Sequence, residues 1–223
     1  MQFVYDKFSK NEILEIVDEN YNYIIKARRH KIGDEIYFRN LEDDFIYLYK
    51  IVEINKKSAT LTLVNSEKKV IENSRKLHLV WCVVDPKTVE KSISSLNEIG
   101  VDKITFVYSD FSQKNFKINI EKLNKILINS SSQCGRSSII KLEISKTLDS
   151  FLTQNPKSYI LDFSNNFIDD KKDEIDTLVI GCEGGFSKRE KGNFNKDFVV
   201  GFNSNLILRS ETAIVSATSK ILL

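Results

Sequence analysis

Residues 78–109 read HLVWCVVDPKTVEKSISSLNEIGVDKITFVYS, and their spacing predicts a strand, a helix and a second strand in succession. HLVWCVV at 78–84 is an unbroken apolar run of the length of a buried strand. Asp85 and Pro86 then supply a helix start, because an aspartate can take the free amides of a first turn and proline suits its first position. Val89, Ile93 and Leu96 fall at i, i+4 and i+7, one face of a helix that Gly100 ends. KITFVYS at 103–109 is the next strand. Farther on, Ile120, Leu123, Ile126 and Leu127 mark a second amphipathic helix, and SYILDF (158–163), TLVIG (177–181) and FVVGF (198–202) read as strands. Helix alternating with apolar strand means an α/β layer around a mostly parallel sheet.

Upstream the rhythm differs. IYF at 36–38, FIYLYKIVEI at 45–54 and ATLTLV at 59–64 are rich in β-branched and aromatic residues, with turns at Gly33–Asp34 and at 55–57. They predict a small barrel-like β domain. Before them, ENYNYIIKARR at 19–29 reads as a short helix that brings Lys26, Arg28, Arg29 and Lys31 together. Apolar spacing lapses over SEKKVIENSRK at 66–76, which places the domain boundary there and divides the chain into 1–72 and 73–223.

Bulk composition narrows the function. With 223 residues, 41% of them hydrophobic, the chain can bury a sizeable core, and 33 basic against 31 acidic residues leave a net charge of only +2. Only local patches can therefore point to a partner. No segment has the apolar length of a membrane span or a signal peptide, so a soluble, cytoplasmic protein is expected. Cys82, Cys134 and Cys182 are odd in number and widely spaced, which argues against disulfides and zinc and for small buried apolar residues. Two histidines, His30 and His78, are too few for a histidine-based triad or metal centre. Chemistry must rest on Arg, Glu, Ser and backbone groups.

Three of the eight glycines stand within five positions in GCEGGFSKRE, residues 181–190, directly after TLVI. Glycines allow positive φ and close approach to the main chain, so this junction can turn backbone N–H groups toward a small molecule. Ser187 and Glu190 have the spacing of a capping box for the helix that follows. No Walker or dinucleotide-binding motif is present, and the plain alternative is a tight turn closing a strand. The last stretch, ILRSETAIVSATSKILL at 207–223, places Ile214, Ala217, Thr218, Ile221 and Leu222 on one helical face. Arg209, Ser210, Glu211 and Thr212 gather at its start, where the positive helix end favours anions. The plain alternative is that Ser210 caps the helix, with Glu211 matched to its dipole and paired with Arg209.

Taken together these residues resemble a known family. IGCEGGFSKRE at 180–190 and LRSETA at 208–213 are similar to the GPEGG-F-S-x-x-E and L-R-T-E-T-A signatures of the RsmE family of bacterial 16S ribosomal RNA uracil-N3 methyltransferases. LNEIGVDKI at 96–104, SSQCGR at 131–136 and ARRHKIGDEIYFRN at 27–40 resemble further family segments, in the family's order. There are departures. Cys182 stands where the family has proline, Ser94 and Ser95 where it has Gln-Lys, Ser109 to Ser112 (SDFS) where it has Ser-Glu-Arg-Ser, and Ser132 in place of an acid. The glycine expected shortly before ILR is replaced by the region of Ser204 and Asn205.

The resemblance implies an α/β fold of the SPOUT class, with a trefoil-knotted methyltransferase domain behind an N-terminal PUA-like β-barrel. It also implies a homodimer, S-adenosyl-L-methionine as cofactor, no metal, and 16S rRNA within the assembled small ribosomal subunit as partner. Carried over by position, the cofactor-binding candidates are Ile180, Gly181, Glu183, Gly184, Gly185, Leu206, Leu208 and Arg209. A uracil N3 must lose its proton to accept a methyl group, and a fixed guanidinium stabilises the anion; Arg209 is the catalytic candidate. Glu183 and Glu211 are candidates to balance the sulfonium or take the proton, and a water is the alternative acceptor. Lys26, Arg28, Arg29, Lys31 and Arg136 are the RNA-binding candidates. The rival readings are another SPOUT enzyme, acting on a ribose 2′-oxygen or a tRNA base, and a catalytically silent RNA-binding protein.

Overall fold

A computed structural model describes residues 2–223. Its chain forms two compact units, one made of Met1–Glu72 with Ile128–Ile139, the other of Asn73–Leu127 with Ile140–Leu223.

In the first unit the elements are β1 (Val4–Tyr5), β2 (Ile13–Val17), α1 (Asp18–Tyr21) continued by a π-helical turn over Asn22–Ala27, β3 (Glu35–Arg39), β4 (Phe45–Ile54) and β5 (Ser58–Lys68). They build one five-stranded sheet in the order β1-β3-β4-β5-β2, antiparallel except where β1 runs parallel to β3. Strict alternation makes this possible. In β2, Leu14 and Ile16 are buried while Ile13, Glu15 and Val17 face out, and the inward residues meet Phe38, Tyr49, Ile51 and Leu61 in one core. Two register shifts between β4 and β5, at Leu48/Tyr49 and Ile51/Glu53, bend the sheet around that core. Tyr49 packs edge-on to Phe38 at 5.4 Å and donates its hydroxyl to the Asn11 carbonyl at 2.6 Å. Burial pushes this phenol up to about 12.

The second unit holds β6 (His78–Cys82), α2 (Pro86–Ile99), β7 (Lys103–Val107), α3 (Ile120–Cys134, whose end belongs to the first unit), β8 (Lys141–Ile144) and α4 (Leu148–Gln154). It continues with β9 (Tyr159–Leu161), α5 (Ile168–Lys171), β10 (Thr177–Ile180), α6 (Lys188–Asn193), β11 (Val199–Val200) and α7 (Ser210–Leu222). All six strands are parallel, in the order β11-β9-β10-β6-β7-β8. The central β6 is covered on both faces, with Leu79, Val80, Trp81 and Cys82 fully buried, which is why it reads as an unbroken apolar run. The strand inserted between β9 and β6 is β10, so the ends of β9, β10 and β11 lie side by side.

The α2 boundaries follow the expected chemistry. Asp85 accepts from the Lys87 amide at 3.2 Å, Pro86 opens the first turn, and Gly100 closes the helix in the left-handed region at φ 102°. A Cβ at position 100 would also run into the Asn73 amide, whose Nδ2 donates to the Ile99 carbonyl at 2.7 Å. Gly100→Ala is expected to cost about 1–2 kcal/mol of unfolding free energy, checked by urea titration; no measurable loss would contradict the strain.

His78 sits at the start of β6, its Nε2 2.8 Å from Thr105 Oγ1 and its ring edge-on to Phe151. Burial, helped by Lys103, lowers its pKa from 6.5 to about 4. Below 6.5 the unfolded chain takes up a proton that the folded chain refuses, so stability falls as pH drops from 6.5 toward 4. Denaturation midpoints measured across that window should fall less steeply for His78→Gln than for the parent; parallel curves would contradict the buried neutral imidazole.

The thiols divide. Cys82 and Cys182 are buried, whereas Cys134 is exposed at the end of α3, correcting the expectation that all three are interior. No helix among the described residues is long and apolar enough to cross a membrane.

Candidate ligand cavity at the strand ends

The glycine-rich stretch forms a tight turn directly beyond β10. The Gly185 amide donates to the Cys182 carbonyl at 2.9 Å, and Gly185 has φ 67°, a conformation that favours a residue without Cβ. The other two glycines are set by proximity. A Cβ on Gly181 would press on the Gly185 Cα at 3.2 Å, and one on Gly184 would meet the Phe111 side chain at 3.2 Å. Cys182, where a proline was expected, is buried, with its sulfur 3.6 Å from the Gly185 carbonyl and 3.6 Å from the Ser109 hydroxyl.

The exit of the turn is anchored. Ser187 and Glu190 complete the capping box of α6, Ser187 Oγ accepting from the Glu190 amide at 3.1 Å and Glu190 Oε2 from the Ser187 amide at 2.8 Å. Glu190 Oε1 also takes the Asp110 amide at 2.9 Å. Arg189 grips Asp110 through Nε and Nη2 at 3.0 and 2.7 Å and reaches Asp149 at 2.7 Å. These contacts hold Asp110 below the usual carboxylate range. The segment 109–112, which lacks the expected arginine, is thus a structural support for the glycine turn.

The start of α7 is tied to the same turn. Ser210 Oγ donates to the Gly181 carbonyl at 2.6 Å and accepts from Trp81 Nε1 at 2.9 Å. Ser210 is therefore not the helix cap; Arg209 occupies that position without a side-chain cap bond. The Trp81–Ser210 bond is removed from water, since Trp81 is fully buried and Ser210 is 5% exposed, while the Ser210–Gly181 bond is only partly buried, at the cavity wall.

Between these elements lies a cavity of about 630 Å³, lined by residues 180–186, by 202–208 with Ser210 and Ala213, and by residues 161–165 with Phe167 and Lys191. It opens at the carboxyl ends of β9, β10 and β11, where open parallel sheets hold their ligands. Its size suits a nucleoside-sized molecule. Ile180, Gly181, Glu183, Gly184, Gly185, Leu206 and Leu208 all line it. Arg209 does not, although Leu208 and Ser210 on either side do; its side chain is exposed and makes no hydrogen bond or ion pair among the described residues. Glu211, partly exposed in the first turn of α7, likewise has none, so the Arg209–Glu211 pair of the plain alternative is not formed. Glu183 is engaged elsewhere, its Oε1 accepting from the Asp85 amide at 3.3 Å.

Sequence reasoning missed the wall formed by residues 161–167 and by Lys191. The one available signal was position, because residues just after a parallel strand face the ligand crevice.

Of the basic candidates in the first unit, Lys26, Arg28, Arg29 and Lys31 are exposed. Lys26 lies over the Tyr21 ring, and Arg28 lies over the Tyr23 ring and donates to its hydroxyl at 3.1 Å. Arg29 has φ 60° just past the π-helical turn. Arg136 is different: it is 5% exposed, with Nε donating to Ser138 Oγ at 3.2 Å. Little of its side chain reaches the surface in this structure.

Comparison with known proteins agrees with this geometry. Residues 71–222 match the model of an RNA methyltransferase domain and residues 16–64 that of an RNA methyltransferase PUA domain. Over 222 residues the chain is 39% identical to ribosomal RNA small subunit methyltransferase E of Helicobacter pylori, covering 98% of each. A putative methyltransferase of Legionella pneumophila, solved with its cofactor SAM, superposes with a TM-score of 0.80 at 25% identity over 99% of this chain and 95% of that one. A ribosomal RNA small subunit methyltransferase E from Neisseria gonorrhoeae shares the fold with a TM-score of 0.81 at 15% identity, covering 98% and 95%.

Proposed function

The chain belongs to the family of ribosomal RNA small subunit methyltransferase E, and from that membership we propose that it transfers a methyl group from S-adenosyl-L-methionine to N3 of one uridine in 16S rRNA. The observation that carries the proposal is the meeting of the glycine turn and the 206–210 segment in one cavity, with Arg209 free at its edge.

The cavity fits the proposed methyl donor. Its glycine turn offers backbone groups uncovered by side chains, and its charged lining is Asp162, Glu183 and Lys191, two acids against one base. That balance complements a donor carrying one net positive charge. When bound, S-adenosylmethionine supplies a methyl group on a positively charged sulfur. The chain's own residues do the rest. Ser210 locks the two walls together through Trp81 and Gly181, so the site is rigid before the RNA arrives. Arg209 faces the uracil and stabilises the negative charge that deprotonated N3 spreads over its carbonyl oxygens. Glu211, which makes no hydrogen bond or ion pair among the described residues and lies two residues from Arg209, is the proton acceptor.

The exposed group of Lys26, Arg28, Arg29 and Lys31 neutralises RNA phosphates. Insertion of β10 between β9 and β6 supports a trefoil knot in the second unit. Leu206, Ile207 and Leu223, at 73%, 83% and 86% exposed, support a homodimer that covers them. The enzyme works in the cytoplasm on the assembled small subunit. Mass mapping of 16S rRNA from cells lacking the protein tests the assignment: one N3-methyluridine should disappear, and its persistence would refute the target.

A further inference from the structure

We propose that Asp162 and Lys191 together hold the amino-acid end of the methyl donor, Asp162 taking its ammonium and Lys191 its carboxylate. The assignment rests on the reading of the cavity as the S-adenosylmethionine site and goes beyond it by naming the groups that recognise the tail.

The two side chains come from different elements, Asp162 from just beyond β9 and Lys191 from α6, and they meet at 2.7 Å in the cavity wall. The Asp162 amide bonds to the Val200 carbonyl at 2.9 Å, which fixes the backbone and delivers the carboxylate to the cavity with its side chain only 14% exposed. Lys191 is 44% exposed, and its flexible stem lets the ammonium shift without disturbing α6. Among the lining residues Lys191 is the only cation. Besides Glu183, a second acid, the rest of the lining is glycine backbone, phenyl rings, aliphatic side chains, the Cys182 thiol and small polar groups, which suit an adenosine but leave a carboxylate without a cationic partner.

A zwitterion laid against an opposed acid–base pair satisfies all four charges, whereas a bound carboxylate without Lys191 would share the cavity with two acids. The ion pair in the free protein thus keeps Asp162 neutralised until the donor's ammonium takes over. Ribose hydroxyls are the other partners a cavity carboxylate commonly finds, and the test separates them.

Calorimetric titrations with S-adenosylhomocysteine and with 5′-methylthioadenosine, which has the same adenosine and sulfur but no amino-acid tail, are compared for the parent, Lys191→Met, Lys191→Arg and Asp162→Asn. Lys191→Met and Asp162→Asn should each weaken S-adenosylhomocysteine on the order of tenfold, the worth of one charge-assisted hydrogen bond, and leave 5′-methylthioadenosine unchanged. Lys191→Arg should retain most of the affinity. Unaltered 5′-methylthioadenosine binding also certifies that each variant is folded. Equal losses for both ligands would assign the pair to the adenosine or to the fold and overturn the proposal, as would no loss for either. A parent protein that binds neither ligand overturns the cofactor reading itself, and this assignment with it.

Discussion

Arg209→Ala is expected to reduce methyl transfer to small-subunit rRNA by about 10²–10³-fold, the usual consequence of removing one group that stabilises a developing anion. Folding should be untouched. The side chain is exposed and makes no hydrogen bond or ion pair among the described residues, so its loss should change unfolding free energy by no more than about 0.5 kcal/mol. Cofactor affinity should change little, because Arg209 stands beside the cavity lining without being part of it. Lysine should rescue only part of the rate, since a point charge cannot match the planar oxygen edge that a guanidinium spans. Single-turnover rates with S-adenosylmethionine in excess, measured alongside urea titrations, separate these effects. Full activity in Arg209→Ala would remove the residue from the chemistry.

Ser210→Ala should act in the opposite manner, on stability first. Its hydroxyl both accepts from Trp81 Nε1 and donates to the Gly181 carbonyl, and alanine leaves the buried indole N–H without a partner and the carbonyl to the cavity. One buried unpaired donor costs about 1–3 kcal/mol, so a loss of about that size is expected. The urea midpoint should drop with an unchanged slope. The donor should also bind more weakly, because the same hydroxyl joins the two walls of the cavity. Ser210→Thr, which retains the oxygen, should recover most of both. A change below about 0.5 kcal/mol, within the range of ordinary surface substitutions, would mean that the bridge carries no energy.

The contrast between these two residues shows what was legible in the sequence. Periodicity and end signals located α2 from Asp85 to Gly100, because those residues satisfy local amides and a local left-handed turn. The Ser187–Glu190 capping box was equally local and formed as its spacing implied. Ser210 looked like a helix cap for the same reason, but tertiary contact with Trp81, 129 residues away, took its hydroxyl. Arg136 read as an RNA-binding candidate from its place in SSQCGR, and its burial, 5% exposed, is something sequence spacing does not report.

Elements with few apolar positions escaped notice. KLEI at 141–144 is an edge strand with no fully buried residue, so β8 shows no strong pattern. The cavity wall beyond Leu161 follows a strand of only three residues, whereas SYILDF reads as a strand of six, so Asp162 and Phe163 read as strand and not as cavity wall. Its role arises from lying beside the end of β10, and that adjacency is created by strand order. The glycine turn stood out as a candidate site or a tight turn because three of the eight glycines fall within five positions, yet which of them needs positive φ was decided by the fold alone.

The central claim is that one cavity, walled by the turn at 181–185 and the segment at 206–208, receives the methyl donor with Arg209 beside it. A crystal structure of the chain with S-adenosylhomocysteine tests it most directly. The adenosine should lie between those two segments, with the sulfur on the side from which the Arg209 guanidinium can reach a uracil. A ligand bound elsewhere, or one whose sulfur is separated from Arg209 by the body of α7, would contradict the account.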